Sequence, residues 1–348
     1  MNDPEFDVAT LLDFQAEACR NSTARSAFYA DLLDRLTAQA RVDGPVVALF
    51  EHMPKRLGAA PALRLLGAIH REVLAGRAPA LAAHWPGDPD AAFEALQPLL
   101  ATPPETLLDA LTRDPQTNEV GRAPALAAGL AEAARRTGGM PIRIFEIGSS
   151  AGLNLRLDRF WYDAGGGHTW GDPASPLRFT GDAFSGAVPF GTAPTTIIER
   201  RGCDLHPIDA TTPEGSIRLR SYVWPDNPER MERVEAALAV ATTMPVEIDA
   251  ASADTWIDEH LHAQAGTLTV LVHSIMWQYL PPTAQAHIRA VLDTRGRATT
   301  AAAPLAWVRL EPAPEFAHAD VRLTLWPDGD EHVLATSGYH APPVHWLA

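Results

Sequence analysis

From Phe6 to Gly139 apolar residues recur at intervals of three and four: Leu11, Phe14 and Ala18, then Phe28, Leu32, Leu33 and Leu36. That is the spacing of a single helical face. Ala, Leu and Arg fill the positions between and raise the helix propensity. Gly58, Pro61, Gly76, Pro86-Gly87, Pro103-Pro104 and Gly138-Gly139 punctuate the run,. The pattern predicts roughly six or seven helices and few strands over 1–139, and the lack of any fixed internal period excludes a helical repeat array.

After Met140 the texture changes. Short apolar runs at 142–147, 196–203, 246–250, 268–272, 305–310 and 321–325 read as strands, and 153–160, 228–241, 255–263 and 283–292 read as helices. Alternation of this kind predicts an α/β fold, a mostly parallel sheet with helices on both faces. The last runs, closing with 333–336, have no helix between them and predict a C-terminal antiparallel hairpin turning at Asp328-Gly329-Asp330,. The expected organisation is an all-helical N-terminal cap region over 1–139 and a sheet domain over 140–348, interrupted by an insertion at 161–194.

Composition narrows the classes. A chain of 348 residues has room for one large domain or two coupled ones,. Forty-three acidic against 28 basic residues give a net charge of −15, which repels a phosphate backbone and argues against nucleic acid as a partner, a local basic groove aside. Lysine occurs once, as Lys55 in Pro54-Lys55-Arg56, outside any P-loop or Schiff-base setting,. The longest apolar candidate, 267–275, is broken by His273 and too short for a spanning helix,. Cys19 and Cys203 can form neither a thiolate zinc cage nor a disulfide framework, and Met1 to Glu5 is acidic where a signal peptide is basic and apolar,. A cytoplasmic location, with no membrane, is the expectation.

The most informative segment is Arg143 to Leu155, a strand, a tight loop and a helix start. Gly148 permits a turn that a side chain would obstruct, and Gly152 lets the helix start lie close to strand or ligand,. A helix start also offers unpaired amides to a polar ligand group. The alternative is a plain strand-to-helix turn. Glu146-x-Gly148-x-Ser150-x-Gly152 resembles the first motif of class I S-adenosylmethionine-dependent methyltransferases more than the dinucleotide fingerprint. The resemblance implies a class I methyltransferase-like (Rossmann-like) sheet. It places Gly148, Ser150 and Gly152, with Ser149 and Asn154, near the methionine and ribose part of that cofactor, and Glu146 near its amino group or an ordering water.

Ile197 to Pro207 resembles the second motif of the same superfamily, whose acid accepts from both ribose hydroxyls. A carboxylate suits two such bonds, and Asp204 is the choice, with Glu199 in reserve; a surface acid at a strand end is the competing reading. Val246 to Asp254 is similar to the loop that contacts adenine, with Asp254 as acceptor or, equally, as a helix cap. The strand at 268–272 runs into His273-Ser274-Ile275-Met276-Trp277-Gln278-Tyr279. Strand ends line the crevice of an open parallel sheet, so Ser274 joins the cofactor set and His273 and Tyr279 are the candidate catalytic residues, His273 as a base. A satisfied buried histidine is the alternative, as is a core role for Trp277 and Tyr279.

Gln116 to Arg122, the Glu146 to Leu155 loop, Tyr222 to Pro225, His273-Ser274, Trp277 to Tyr279, Pro304 to Trp307 and Leu323 to Pro327 together resemble an uncharacterised bacterial family, domain of unknown function 2332. The likeness covers most of the chain and implies no activity. It draws Asn118, Glu119 and Arg122 into the candidate substrate pocket beside Trp277; a helix start carrying an acid is the other explanation. Two features depart from the methyltransferase pattern: the 161–194 insertion, a lid or a surface loop, and the missing signature of amino-nitrogen methylation after the fourth strand. His340 and His345 lack a paired carboxylate in the sequence, so no metal site is expected. The expected activity is methyl transfer from S-adenosylmethionine to a small-molecule acceptor. The alternatives are a noncatalytic binding or interaction protein, or another reaction of the same sulfonium, with a dinucleotide enzyme last.

Overall fold

A computed structural model describes residues 7–21, 25–54 and 60–348, so Phe6, Lys55 and Gly58 lie outside the described residues. The chain forms two compact units, residues 1–117 with 212–234, and residues 118–211 with 235–348.

The first unit is helical. It contains α1 (Val8–Asn21), α2 (Ala27–Ala40), α3 (Val46–Phe50), α4 (Pro61–Leu74), α5 (Pro79–Ala82), α6 (Pro89–Ala101) and α7 (Glu105–Thr112). Caps fix the starts: Ser26 Oγ accepts the Tyr29 amide before α2, and Asp88 accepts the Asp90 and Ala91 amides before α6,. The buried stripe of α1 is Ala9, Leu12, Ala16 and Cys19, whereas Phe14 of the expected stripe is 76% exposed. Both sets have helical spacing, and the face that packs is chosen by the neighbouring helices.

The chain then enters the second unit through a 3-10 turn, Val120–Arg122, and α8 (Ala123–Arg136). The compact units divide at 117/118, and α8 falls in the unit that holds the sheet. Strand β1 (Ile142–Ile147) follows. Where a helix over 153–160 was expected there is a 3-10 turn, Asn154–Arg159, with Arg156 at φ −100° and ψ 15°. The Arg156 side chain lies against this turn: its Nη1 donates to the carbonyls of Ala151 and Gly152, and the Gly152 carbonyl also accepts the Leu155 amide, the i to i−3 bond of a 3-10 turn,.

The insertion at 161–194 has secondary structure of its own. Strands β2 (Trp161–Asp163), β3 (Thr169–Gly171) and β4 (Arg178–Thr180) make a small separate sheet in the order β3-β2-β4. Tyr162 stacks on Trp170 and Phe179 there. The next strand, β5 (Phe184–Ser185), joins the main sheet.

After β6 (Ile197–Asp204), helix α9 (Pro213–Ser221) returns to the first unit, where Tyr222 lies on Gly67 and Trp224 enters the helical core. Helix α10 (Pro228–Thr243) follows, its residues divided between the units at 234/235. The sheet unit continues with β7 (Glu247–Ala250), α11 (Ala253–His260), β8 (Leu268–Ser274), a 3-10 turn Trp277–Tyr279, α12 (Pro282–Arg297), β9 (Leu305–Pro312), β10 (Ala319–Trp326), β11 (Asp330–Ser337) and β12 (Val344–Trp346).

Among the described residues nine strands form the main sheet, in the order β5-β12-β11-β10-β9-β8-β1-β6-β7. The run from β9 to β7 is parallel, β9 to β12 pair antiparallel, and β5 pairs parallel with β12. The fold is thus mixed α/β with a large, mostly parallel sheet, and the expected hairpin is β10 and β11. Phe145 and Ile147 of β1 pack in the core with Trp256 and Ile257 of α11 and Ile288 and Leu292 of α12. Side chains alternate along a strand, so Ile144 and Glu146 occupy the opposite face. Among the described residues no helix is long and apolar enough to cross a membrane.

Candidate functional site

From β1 the chain climbs to β6 and β7 on one side and later to β8 and β9 on the other, so the order reverses at β1. In open parallel sheets ligands bind outside the strand ends at such a reversal. The loop there has Gly148, Ser150 and Gly152 at φ +66°, +54° and +62°. Glycine adopts that region freely and serine does not. Ser150 is held in it from both sides: its amide donates to Asp204 Oδ2 (2.9 Å) and its carbonyl accepts from the Ile208 amide (3.1 Å). A Cβ on Gly152 would come within 2.8 Å of Ile248 Cδ1, and beside Gly148 the side chain of Met276 already packs.

Each amide from Ser149 to Leu153 has a partner. Ser149 donates to the Cys203 carbonyl, Gly152 to the Ser149 carbonyl, and Ala151 and Leu153 both to Asn118 Oδ1 at 3.2 and 3.0 Å. The expectation that a helix start offers these amides to a ligand is therefore corrected: no α-helix starts here, and the amides hold the loop to β6 and to Asn118. Asp204 likewise takes the Ser150 and His206 amides, one on each oxygen. Asn118 itself sits at φ +38°.

Side chains tell of unmet demand at the same place. Glu146 Oε2, Ser150 Oγ and Asn154 Oδ1 are buried and find no hydrogen-bond partner among the described residues. Buried polar atoms are nearly always satisfied, so three within nine residues mark a place where a polar ligand or water belongs. Glu146 is 2% exposed. Burial pushes its carboxyl up to about 8, the Asp204 charge adds to this, and Arg156 and Arg122 oppose it. Such an acid carries its proton at neutral pH unless a cation arrives.

The segment 118–122 joins this cluster. The Asn154 side-chain amide donates to the Glu119 carbonyl, Glu119 Oε1 accepts the Gly121 amide, and Arg122 donates to the carbonyls of Tyr339 and Ser274. The structure thus brings Asn118, Glu119, Arg122, Glu146, the glycine loop, Asp204 and Ser274 together.

The expected catalytic pair is placed otherwise. Strand β8 runs two residues past its predicted end, so His273 is a strand residue, fully buried. It packs among residues of the face opposite Glu146: its ring lies 5.3 Å from Trp277, stacked at 17°, and beside Trp307. The His273 Nδ1–H donates to Glu311 Oε1 (2.7 Å), and Nε2 accepts from Trp307 Nε1–H (3.0 Å). An indole can only donate, which fixes the proton on Nδ1. Both nitrogens are used inside the protein, and His273 holds β8 to β9 where a base was expected. His273→Gln is expected to lower unfolding stability by about 2 kcal/mol while changing ligand affinity less than about twofold; a large affinity loss in calorimetry would return His273 to the site. Tyr279 is 66% exposed. Trp277 packs on His273 and under Arg289. Asp254 lies in the first turn of α11 with Ser252 at the cap position, and the reserve acid Glu199 is ion-paired with Arg143. Arg156 went unnoticed in the sequence, where nothing sets it apart from the other arginines.

A family model described as an uncharacterized protein conserved in bacteria (DUF2332) matches residues 9–346. No curated protein and no solved structure matches the chain.

Proposed function

The chain belongs to this bacterial family of unknown function, and on the chemistry of its own site we propose that it binds S-adenosylmethionine at the end of β1 and transfers the methyl group to a small molecule. The observation that carries the reading is Glu146, a buried acid with an unpartnered oxygen at the reversal point of a parallel sheet. A primary ammonium is the group that such a carboxyl accepts best, because it supplies both the donor and the missing charge.

The residues fit the amino-acid end of the compound. Glu146 would hold its ammonium, and Ser150 Oγ and Asn154 Oδ1 are further unpartnered polar atoms next to it. Asp204 shapes the loop, and Asn118 locks it. Met276, unbranched and flexible, covers Gly148 and would turn aside for the ligand,. The compound supplies an electrophilic methyl group, and the protein supplies alignment and a dry site.

A second reading, binding without catalysis, is favoured by the engaged nitrogens of His273. Calorimetry with S-adenosylmethionine and S-adenosylhomocysteine tests the binding claim: affinity for both, with a raised melting temperature, is expected, and indifference to both overturns it. Incubation with pools of small acceptors then separates the readings. Release of S-adenosylhomocysteine supports methyl transfer, binding without turnover supports the second reading, and methylthioadenosine reveals another reaction of the sulfonium.

A further inference from the structure

The crevice needs a group to take the proton of an acceptor, and one lies in the C-terminal segment. After β11 the chain turns back at Tyr339-His340-Ala341. Arg122 grips this turn and the end of β8 at once, donating to the carbonyls of Tyr339 and Ser274. Gly121 lets the turn close in: a Cβ there would lie 2.4 Å from the His340 carbonyl and 2.8 Å from that of Ala341. His340 Nδ1 is thereby set 3.5 Å from Glu119 Oε2, with the imidazole 35% exposed and Glu119 only 6%. Glu119 is in turn tied to Asn154 of the glycine loop. A carboxylate behind a part-exposed imidazole is the arrangement that orients a general base; the 3.5 Å approach is an ion-pair distance at which Nδ1 makes no hydrogen bond, and a long contact of this kind is common at catalytic sites without substrate.

We infer that His340, backed by Glu119, faces the ligand crevice and contacts the second substrate, a small molecule with a hydroxyl or amine N–H, whose proton it accepts. The inference rests on the reading of that crevice as an S-adenosylmethionine site. The acceptor's X–H bond breaks and its proton passes to the imidazole. The pair left on X forms the bond to the methyl carbon, while the carbon–sulfur pair stays with sulfur. Glu119 stabilises the imidazolium until the proton leaves to solvent. This role differs from the metal-ligand role considered for His340 and His345, since His345 instead meets Ser185.

Cysteine labelling tests it. Cys19 and Cys203 are both buried, so in His340→Cys a maleimide reports on position 340, and His332→Cys, at an exposed position of β11, is the control. Saturating S-adenosylmethionine is expected to slow labelling at 340 about fivefold or more and to leave 332 unchanged. Binding of the compound in calorimetry without protection at 340 overturns the inference and leaves the cofactor reading standing. No binding at all removes that reading, and the inference with it. With an acceptor that turns over, His340→Gln is expected to lower kcat about 100-fold with S-adenosylmethionine affinity unchanged, and undiminished turnover also overturns the inference.

Discussion

Glu146→Gln is expected to make the protein more stable in alkali and, at the same time, to weaken its hold on the ligand. Burial lifts the carboxyl from 4.5 to about 8 in the folded protein. Between those values the native state keeps a proton that the unfolded chain has lost, so stability falls as pH rises through this window. Below it acid and amide are alike, both neutral. Above it the wild type carries a buried charge, which the amide never acquires. The gap should reach about 5 kcal/mol by about pH 9. Urea unfolding at about pH 5, 7 and 9 measures it, and parallel pH profiles for the two proteins would remove the buried acid. The binding arm has the opposite sign. An ammonium seated at Glu146 must displace the proton, so at neutral pH calorimetry in buffers of different ionisation enthalpy should show proton release, and affinity should rise with pH through the same window. The amide should release none and should bind about tenfold or more weakly. A residue that only fills space would not shift stability and affinity in opposite directions.

Asn118→Ala is expected to cost about 3 to 5 kcal/mol and to abolish ligand binding. One carbonyl oxygen satisfies the amides of Ala151 and Leu153, and both residues are buried. Two buried amides left bare account for most of the cost, and alanine at φ +38° adds the rest,. Asn118→Asp keeps an oxygen in the same place and should retain most of the stability. Hydrogen exchange gives a local readout: protection at 151 and 153 should vanish in the alanine variant and persist in the aspartate one. If both amides stay protected without Asn118, the loop is held by something else, and the rigid frame assumed for the ligand is wrong.

Much of the fold was legible because it is periodic. The helical stretch, the later strands and the hairpin at Asp328-Gly329-Asp330 all follow from spacing and turn residues. The misreadings share a cause. Helical spacing in α1 was satisfied by two stripes, and packing selected Leu12 and Ala16 over Phe14. The segment after the glycine loop had a helical composition, yet it forms a 3-10 turn in which the Arg156 side chain competes for the carbonyls of Ala151 and Gly152. Neither competition is visible in a linear pattern.

For the site, the chain's own order determined that Glu146, Gly148, Ser150 and Gly152 would follow a strand, and that residues 118–122 and 273–279 carried unusual polarity. Which of them meet was decided only in three dimensions. Two added residues on β8 moved His273 from a strand end into the sheet, and alternation put it on the face away from Glu146. Asn118 reached the loop across 33 residues and His340 reached Glu119 across more than two hundred. Periodicity is a local property, encoded by neighbours a few positions apart, whereas the side of a sheet on which a group lies and the partner that satisfies it depend on register and on distant backbone.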